Sequence, residues 1–240
     1  MTPRIERLRS RSLAAAPSLS SERAQLVTDF YRSGIARTEA VPVQRARAFC
    51  HILENKAIYI GEDELIVGER GPKPKATPTY PEVCVHSESD LAVIDSREKV
   101  SFAVDAEVQK QYRESVIPYW ENHSIRDKIF SQMPRAWKEA YEAGVFTEFQ
   151  EQRSPGHTAC GGKIYHKGFK DFKEEIAAAA QRLDFYADAD ALAKKEQLRA
   201  MDIAANGLIA FAGRHAAALE DLAKKENDPV RKSELQQMAQ

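Results

Sequence analysis

Apolar side chains recur at three- and four-residue intervals over most of the 240 positions, which predicts helix rather than sheet. Between Ser18 and Gly34, Leu26, Val27, Phe30 and Tyr31 form one stripe, and Ser20 or Ser21 is placed to accept the free N–H groups of the first turn. A second helix is predicted from Val43 to Lys56, with Val43, Ala46, Phe49, Cys50 and Leu53 along one face and Pro42 suited to its first turn. Ahead of both, MTPRIERLRSRSLAAAP resembles a mitochondrial transit peptide in its Arg, Ser and Ala content. It reads better as a short amphipathic helix carrying Ile5 and Leu8 and ending before Pro17. It lacks the apolar core of a secretory signal, so export is not expected.

The period then changes. Ile58–Ile60 and Leu65–Val67 read as two short strands around an acidic turn. Four prolines between Gly71 and Pro81 exclude helix and central strand, and favour an extended segment lying on another surface with Tyr80, Val83, Cys84 and Val85 packed. Helix resumes from Asp105 to Val116, is interrupted at Ile117-Pro118, and returns at Tyr119-Trp120 and Ile125–Phe130. Phe169–Leu183, Ala191–Ala223 and Asp228–Gln240 are further helices, the last running out with no cap or breaker. The fold class is mainly α with a small β element.

Lys and Arg total 35 against 36 Asp and Glu, which removes any global electrostatic case for nucleic acid or an anionic membrane surface. The most apolar stretch, Ala204–Ala218, is broken by Asn206, Arg214 and His215, short of the roughly 20 apolar residues of a membrane span. Cys50, Cys84 and Cys160 stand at unrelated spacings, with no disulfide framework and no CxxC pair. A reducing cytoplasm is the expected setting.

Reactive residue types concentrate in FTEFQEQRSPGHTACGGKIY, where Glu148, Glu151, Arg153, His157, Thr158, Cys160 and Lys163 lie close together. A Cys160/His157 nucleophile and base would make a thiol hydrolase, but no orienting acid accompanies them and an inert cysteine is the preferred reading. The loop is not a phosphate-binding P-loop, since Gly156 is misplaced relative to Gly162-Lys163 and Ile164 stands where Ser or Thr would reach magnesium. His51, His86, His123, His157, His166 and His215 are scattered without HxxxH spacing, so no metal site is expected. Runs such as LAKKEQLRA are solvated helix faces.

SSERA (Ser20–Ala24), DELIVGER (Asp63–Arg70), PTYPEVCVH (Pro78–His86), IPYWENHSIRDKI (Ile117–Ile129) and SPGHTACGGKIYHKGF resemble, in order and spacing, the N-terminal region of glycyl radical enzymes. These are the pyruvate formate-lyase and glycerol, choline and hydroxyproline dehydratase superfamily. PTYPEVCVH, AYEAGVFTEFQEQRSPGHT and KGFKDFKEEI are more similar to the hydroxyproline branch than to the others. The resemblance implies a ten-stranded α/β barrel wrapped by helices, of which these residues form the N-terminal helical portion and part of the pocket wall. It further implies that Phe149 and His157 approach substrate, and that a radical SAM activating enzyme, a homodimer or a complementing C-terminal polypeptide is the partner.

The family's thiyl cysteine stands in a Gly-Cys-x-Glu loop and its radical glycine in Arg-Val-x-Gly-Tyr, and neither motif occurs in these 240 residues. The expectation is therefore the N-terminal part of a lyase or dehydratase, inactive alone, with no catalytic residue and no cofactor held by this chain. The competing reading is a non-catalytic helical module that binds a partner.

Overall fold

A computed structural model describes residues 2–146 and 161–240. The first helix, α1 (Pro3–Ala14), has the predicted place but no buried residue. Ile5 stays exposed, and the helix is fastened by charge instead. Arg4 meets Glu234 at 2.6 Å, Arg7 meets Asp63 at 2.7 Å, and Arg11 meets Glu62 at 2.6 Å and Asp63 at 3.0 Å.

Ser18–Ser20 forms strand β1 rather than a helix approach, pairing in parallel with β2 (Ala76–Pro78) of the proline-rich segment. The predicted strands Ile58–Ile60 and Leu65–Val67 do not form. Ile60 and Val67 instead pack on Leu219, Ala223 and Leu235, and the Gly61 N–H is satisfied by the Glu64 carboxylate at 2.9 Å. The β-branched residues there serve burial, with no neighbouring strand to complete a ladder. The extended reading of the proline-rich segment is correct, and it is long enough to reach β1.

Helices α2 (Glu22–Ser33) and α3 (Val41–Asn55) follow. Ser21 occupies the cap position of α2 but makes no side-chain cap bond, since its hydroxyl is turned to Gln111 Oε1 at 2.6 Å. Ser20 Oγ accepts from the Glu22 N–H at 3.3 Å. On α3 the buried face is Val43, Ala46, Ala48, Ile52 and Leu53, while Phe49 is exposed. Helix α4 (Glu88–Ser96), capped by Ser87 and Asp90, has no counterpart in the sequence reading.

The chain then runs through α5 (Ala106–Gln111), a π-turn (Tyr112–Val116) and α6 (Ile117–Trp120) without the predicted break. The Ile117 N–H donates to Tyr112 O, five residues back. Widening the helix by one residue makes room for the Pro118 ring, which would otherwise strike the preceding turn. The π-turn also buries Tyr112 and Val116 completely, in a core with Val27, Leu91, Val108 and Trp120. Two buried hydrogen bonds fix this core: Tyr112 Oη donates to Thr79 Oγ1, and Trp120 Nε1 donates to Thr28 Oγ1 at 2.8 Å. Thr28 Oγ1 in turn donates to Ala24 O at 2.6 Å, so its hydroxyl is paired both as acceptor and as donor.

After α7 (Ile125–Gln132) and α8 (Arg135–Glu142), a 3₁₀ turn (Gly161–Tyr165) leads to α9 (Phe169–Gln181), α10 (Ala191–Lys225) and α11 (Pro229–Met238). The 35-residue α10 is the spine of the molecule. It lies along α3 in the same direction, with Val43 near Ala200, Cys50 against Gly207, and Arg214 beyond the end of α3. A Cβ on Gly207 would stand 3.1 Å from Cys50 Cα, so the glycine permits the approach. Arg214 then closes the C-terminus of α3 by donating to Leu53 O at 2.6 Å and Lys56 O at 2.7 Å.

Gly207→Val is expected to lower unfolding free energy by about 2 kcal/mol, because overpacking at a helix crossing outweighs any gain in helix propensity. Cys50→Ala in the same chain should not restore it, since the nearest obstructing atom is the Cys50 Cα. Urea unfolding of the three proteins measures both statements.

Candidate functional site

Phe149, His157 and Cys160 fall within 147–160 and lie outside the described residues. The two ends of that segment are described, and they differ sharply. On the N-terminal side, each contact hands over to the next. Arg23 of α2 pairs with the Glu82 carboxylate, donates to Thr79 O at 3.1 Å and lies 4.0 Å above the Tyr80 ring. Two later carbonyls of that segment start α7, for the Ile125 N–H donates to Glu82 O and the Arg126 N–H to Val83 O, both at 3.0 Å. Ser124 and Asp127 complete a capping box at the same helix start.

From α7 the Arg126 guanidinium lies 4.4 Å from the Phe130 ring centre, 5.8 Å from that of Tyr141, and donates to Tyr141 Oη at 3.2 Å. Phe130 and Tyr141 pack edge to face at 4.9 Å. Phe146, three residues before Phe149, sits between Trp137 at 5.4 Å and Tyr141 at 6.0 Å. A cation enclosed by aromatic faces gains more than area burial alone supplies. A run of fixed contacts therefore leads from α2 to within three residues of Phe149.

The C-terminal side is looser. The 3₁₀ turn holding Lys163 is exposed throughout. Beyond it Lys167 pairs with Glu175, and the Gly168 N–H meets Asp171 Oδ2 at 2.8 Å to open α9. Lys173 joins Asp202, tying α9 to α10.

Cys50 is a free thiol. Burial, with the nearby Glu54 carboxylate, pushes the Cys50 thiol up to about 11, and Sγ donates to Glu54 Oε1 at 3.3 Å. Such a thiol is protonated at neutral pH and is not a nucleophile. No group of three or more His, Cys, Asp and Glu side chains is arranged to hold a metal ion among the described residues. His51 and His215 sit on α3 and α10 as helix histidines, the latter with Nδ1 3.0 Å from Phe211 O.

The description "pyruvate formate lyase-like" belongs to the family model that matches residues 1–240. The chain belongs to that family. It is 44% identical to trans-4-hydroxy-L-proline dehydratase of Clostridioides difficile over 97% of its own length and 29% of the relative's. The crystal structure of hydroxyproline dehydratase from the same organism, with trans-4-hydroxy-L-proline bound, superposes with a TM-score of 0.93 at 43% identity. That match takes in 100% of this chain and 30% of that one. The B12-independent glycerol dehydratase of Clostridium butyricum, in its glycerol-bound form, gives 0.90 at 27% identity, again over 100% and 30%. The chain spans about three-tenths of the length of the relatives it matches. The mainly helical class and the N-terminal helical portion of the glycyl radical enzyme fold are both as the sequence implied. No helix among the described residues is long and apolar enough to cross a membrane.

Arg23 and Arg126 were not identified from sequence. Arg23 meets partners 56 to 59 residues away and Arg126 meets Tyr141 15 residues away on another helix; only Phe130, four residues on, is a local neighbour.

Burial lowers the affinity of His86 for its proton below the usual histidine range, with Asp90 opposing only in part. The unfolded chain then binds the proton more readily, so stability is complete above the ordinary value near 6.5 and is lost as pH falls below it. Unfolding free energy should decline from pH 7 to pH 5, and less steeply in His86→Gln. Parallel slopes for the two proteins in denaturant titrations would contradict this.

Proposed function

We propose that these residues form the N-terminal helical layer of a glycyl radical dehydratase that removes water from trans-4-hydroxy-L-proline or a close relative. The observation that carries it is the 44% identity to the Clostridioides difficile dehydratase along nearly the whole chain, against 28% for isethionate sulfite-lyase of Desulfovibrio desulfuricans. In this reading Phe149 packs on the pyrrolidine ring, and His157 orients a substrate carboxylate or hydroxyl by hydrogen bonding. The packing of Phe146 between Trp137 and Tyr141, three residues before Phe149, supports this reading, because an anchored neighbour lowers the entropy lost on substrate binding.

The residues present do not fit the family's radical machinery. Cys50 is a protonated thiol packed against Gly207, Cys84 follows Val83 rather than glycine, and no Arg-Val-x-Gly-Tyr occurs. No radical step is therefore assigned to this chain. Its part is to bind and orient, and turnover belongs to the assembled enzyme in a cytoplasmic setting.

A chimera tests this directly. The 240 residues replace the matching residues of the Clostridioides difficile enzyme, and dehydration of trans-4-hydroxy-L-proline is measured after activation. The chimera should turn over. His157→Ala should cut kcat/KM by about 10- to 100-fold, the range set by losing one hydrogen bond to a charged group. Phe149→Ala should raise KM about tenfold, through lost ring burial. An active chimera indifferent to both changes, or one that prefers glycerol, would overturn the assignment.

A further inference from the structure

Helix α1 repeats one charge at helical spacing. Arg4, Arg7 and Arg11 stand three and four residues apart, so their guanidiniums share one face of the 12-residue helix. On a free helix such like charges repel, and a helix this short is marginal in water by itself. No residue of α1 is buried, and Ile5 and Leu13 are 50% and 73% exposed, so apolar contact does not make up the deficit.

The row of arginines is neutralised from two other elements. Asp63 accepts from Arg7 Nε at 2.8 Å and Nη2 at 2.7 Å, and from Arg11 Nη1 at 3.0 Å. Arg11 also donates to the Glu62 carboxylate at 2.6 Å and to Glu62 O at 2.7 Å. Arg4 reaches α11, where it donates to both oxygens of Glu234 at 2.6 and 2.7 Å. Asp63 presents its carboxylate from the left-handed region, at φ 68°, a conformation that aspartate tolerates better than most residues. Helix α1 thus bridges the turn at 61–64 and α11.

The turn and α11 also hold together without it. Ile60 and Val67 pack on Leu219, Ala223 and Leu235, while Arg231 of α11 donates to Glu64 O at 2.8 Å and to Glu234 at 3.1 Å. If α1 leaves, Glu234 keeps Arg231 as its partner, and the apolar contacts stay closed.

We propose that α1 is an electrostatic strap, docked and helical at low ionic strength, and released and unwound when salt screens Glu62, Asp63 and Glu234 from its arginines. The proposal stands on these contacts and is independent of the substrate reading. Docking and helix formation are one step, because each carboxylate that binds an arginine also removes the repulsion opposing the helix. The Debye length shortens from about 10 Å at 0.1 M salt to about 3 Å at 1 M, which weakens the exposed pairs of α1 and spares the buried core.

Trypsin cleavage after Arg9 reads the released state. Arg9 makes no ion pair among the described residues, and α1 must unwind before the protease can cut it. A short arginine peptide in the same solutions corrects for the effect of salt on trypsin itself. The corrected rate should rise about tenfold between 0.1 and 1 M NaCl, as expected for several exposed pairs lost together. The same rise is expected in the 240 residues alone and in those residues fused to the remainder of the Clostridioides difficile enzyme. At 0.1 M, Asp63→Asn should raise the rate about fivefold and flatten its salt dependence. Arg7→Gln, which leaves the turn untouched, should raise it about threefold, and the two changes together should exceed Asp63→Asn by little. The urea midpoint of the core should be the same in all of these proteins. A rate indifferent to salt in either protein, or unmoved by both substitutions, would overturn the proposal. So would cleavage that rises only as the urea midpoint falls, since α1 would then be unwinding with the core.

Discussion

The close parallel passage of α3 and α10 is the constraint on which the rest of the molecule depends. Gly207 lets the helices approach until an added Cβ would stand 3.1 Å from Cys50 Cα, and Arg214 fastens the end of α3 through two backbone carbonyls. Arg199 and Arg47 share Glu39, at 2.7 and 2.8 Å, where the chain enters α3. With α3 fixed to a 35-residue spine, α2 is held in turn, and α2 carries both Arg23 and Thr28. Arg23 grips the proline-rich segment and Thr28 receives the Trp120 indole. The polar contacts that place α7 and α8 thus originate at one helix pair.

That order of dependence explains why charge and apolar packing divide the work as they do. Around Tyr112 the hydrogen bonds are buried and fully paired, which makes them worth much more than exposed ones. Helix α1, with no buried residue, is held by arginines on Asp63, Glu62 and Glu234 at the surface. The Arg7 guanidinium beside Asp63 keeps that carboxyl well below the usual carboxylate range, yet an exposed pair of this kind is screened by salt and contributes little to global stability. The core therefore sets the fold, and α1 lies on it as a detachable strap.

Most helices were legible because their stripes are long and regular, as on α2, α3, α9 and α10. What failed to show was set by distant partners. Ile58–Ile60 and Leu65–Val67 have strand composition but meet helices α10 and α11, so burial overrode propensity. Ser18–Ser20 reads as a helix approach until the proline-rich segment pairs with it across 58 residues. Pro118 reads as a break, and only the π-turn reveals how the helix absorbs it. The family was legible from the ordered motifs, and the comparisons agree with it. The anchoring roles of Arg23 and Arg126 were not, because each depends on residues brought together by the fold. Phe149 and His157 enter through resemblance alone, with the described structure supplying the stem that leads to them.

Amide hydrogen exchange on the isolated 240 residues tests the central claim, a self-consistent helical layer organised around α3 and α10. The slowest amides should fall in α3, in the part of α10 between Ala200 and Leu219, and from Tyr112 to Trp120, with α1 exchanging far faster. Uniformly fast exchange across those three stretches, or protection confined to α1, would contradict it.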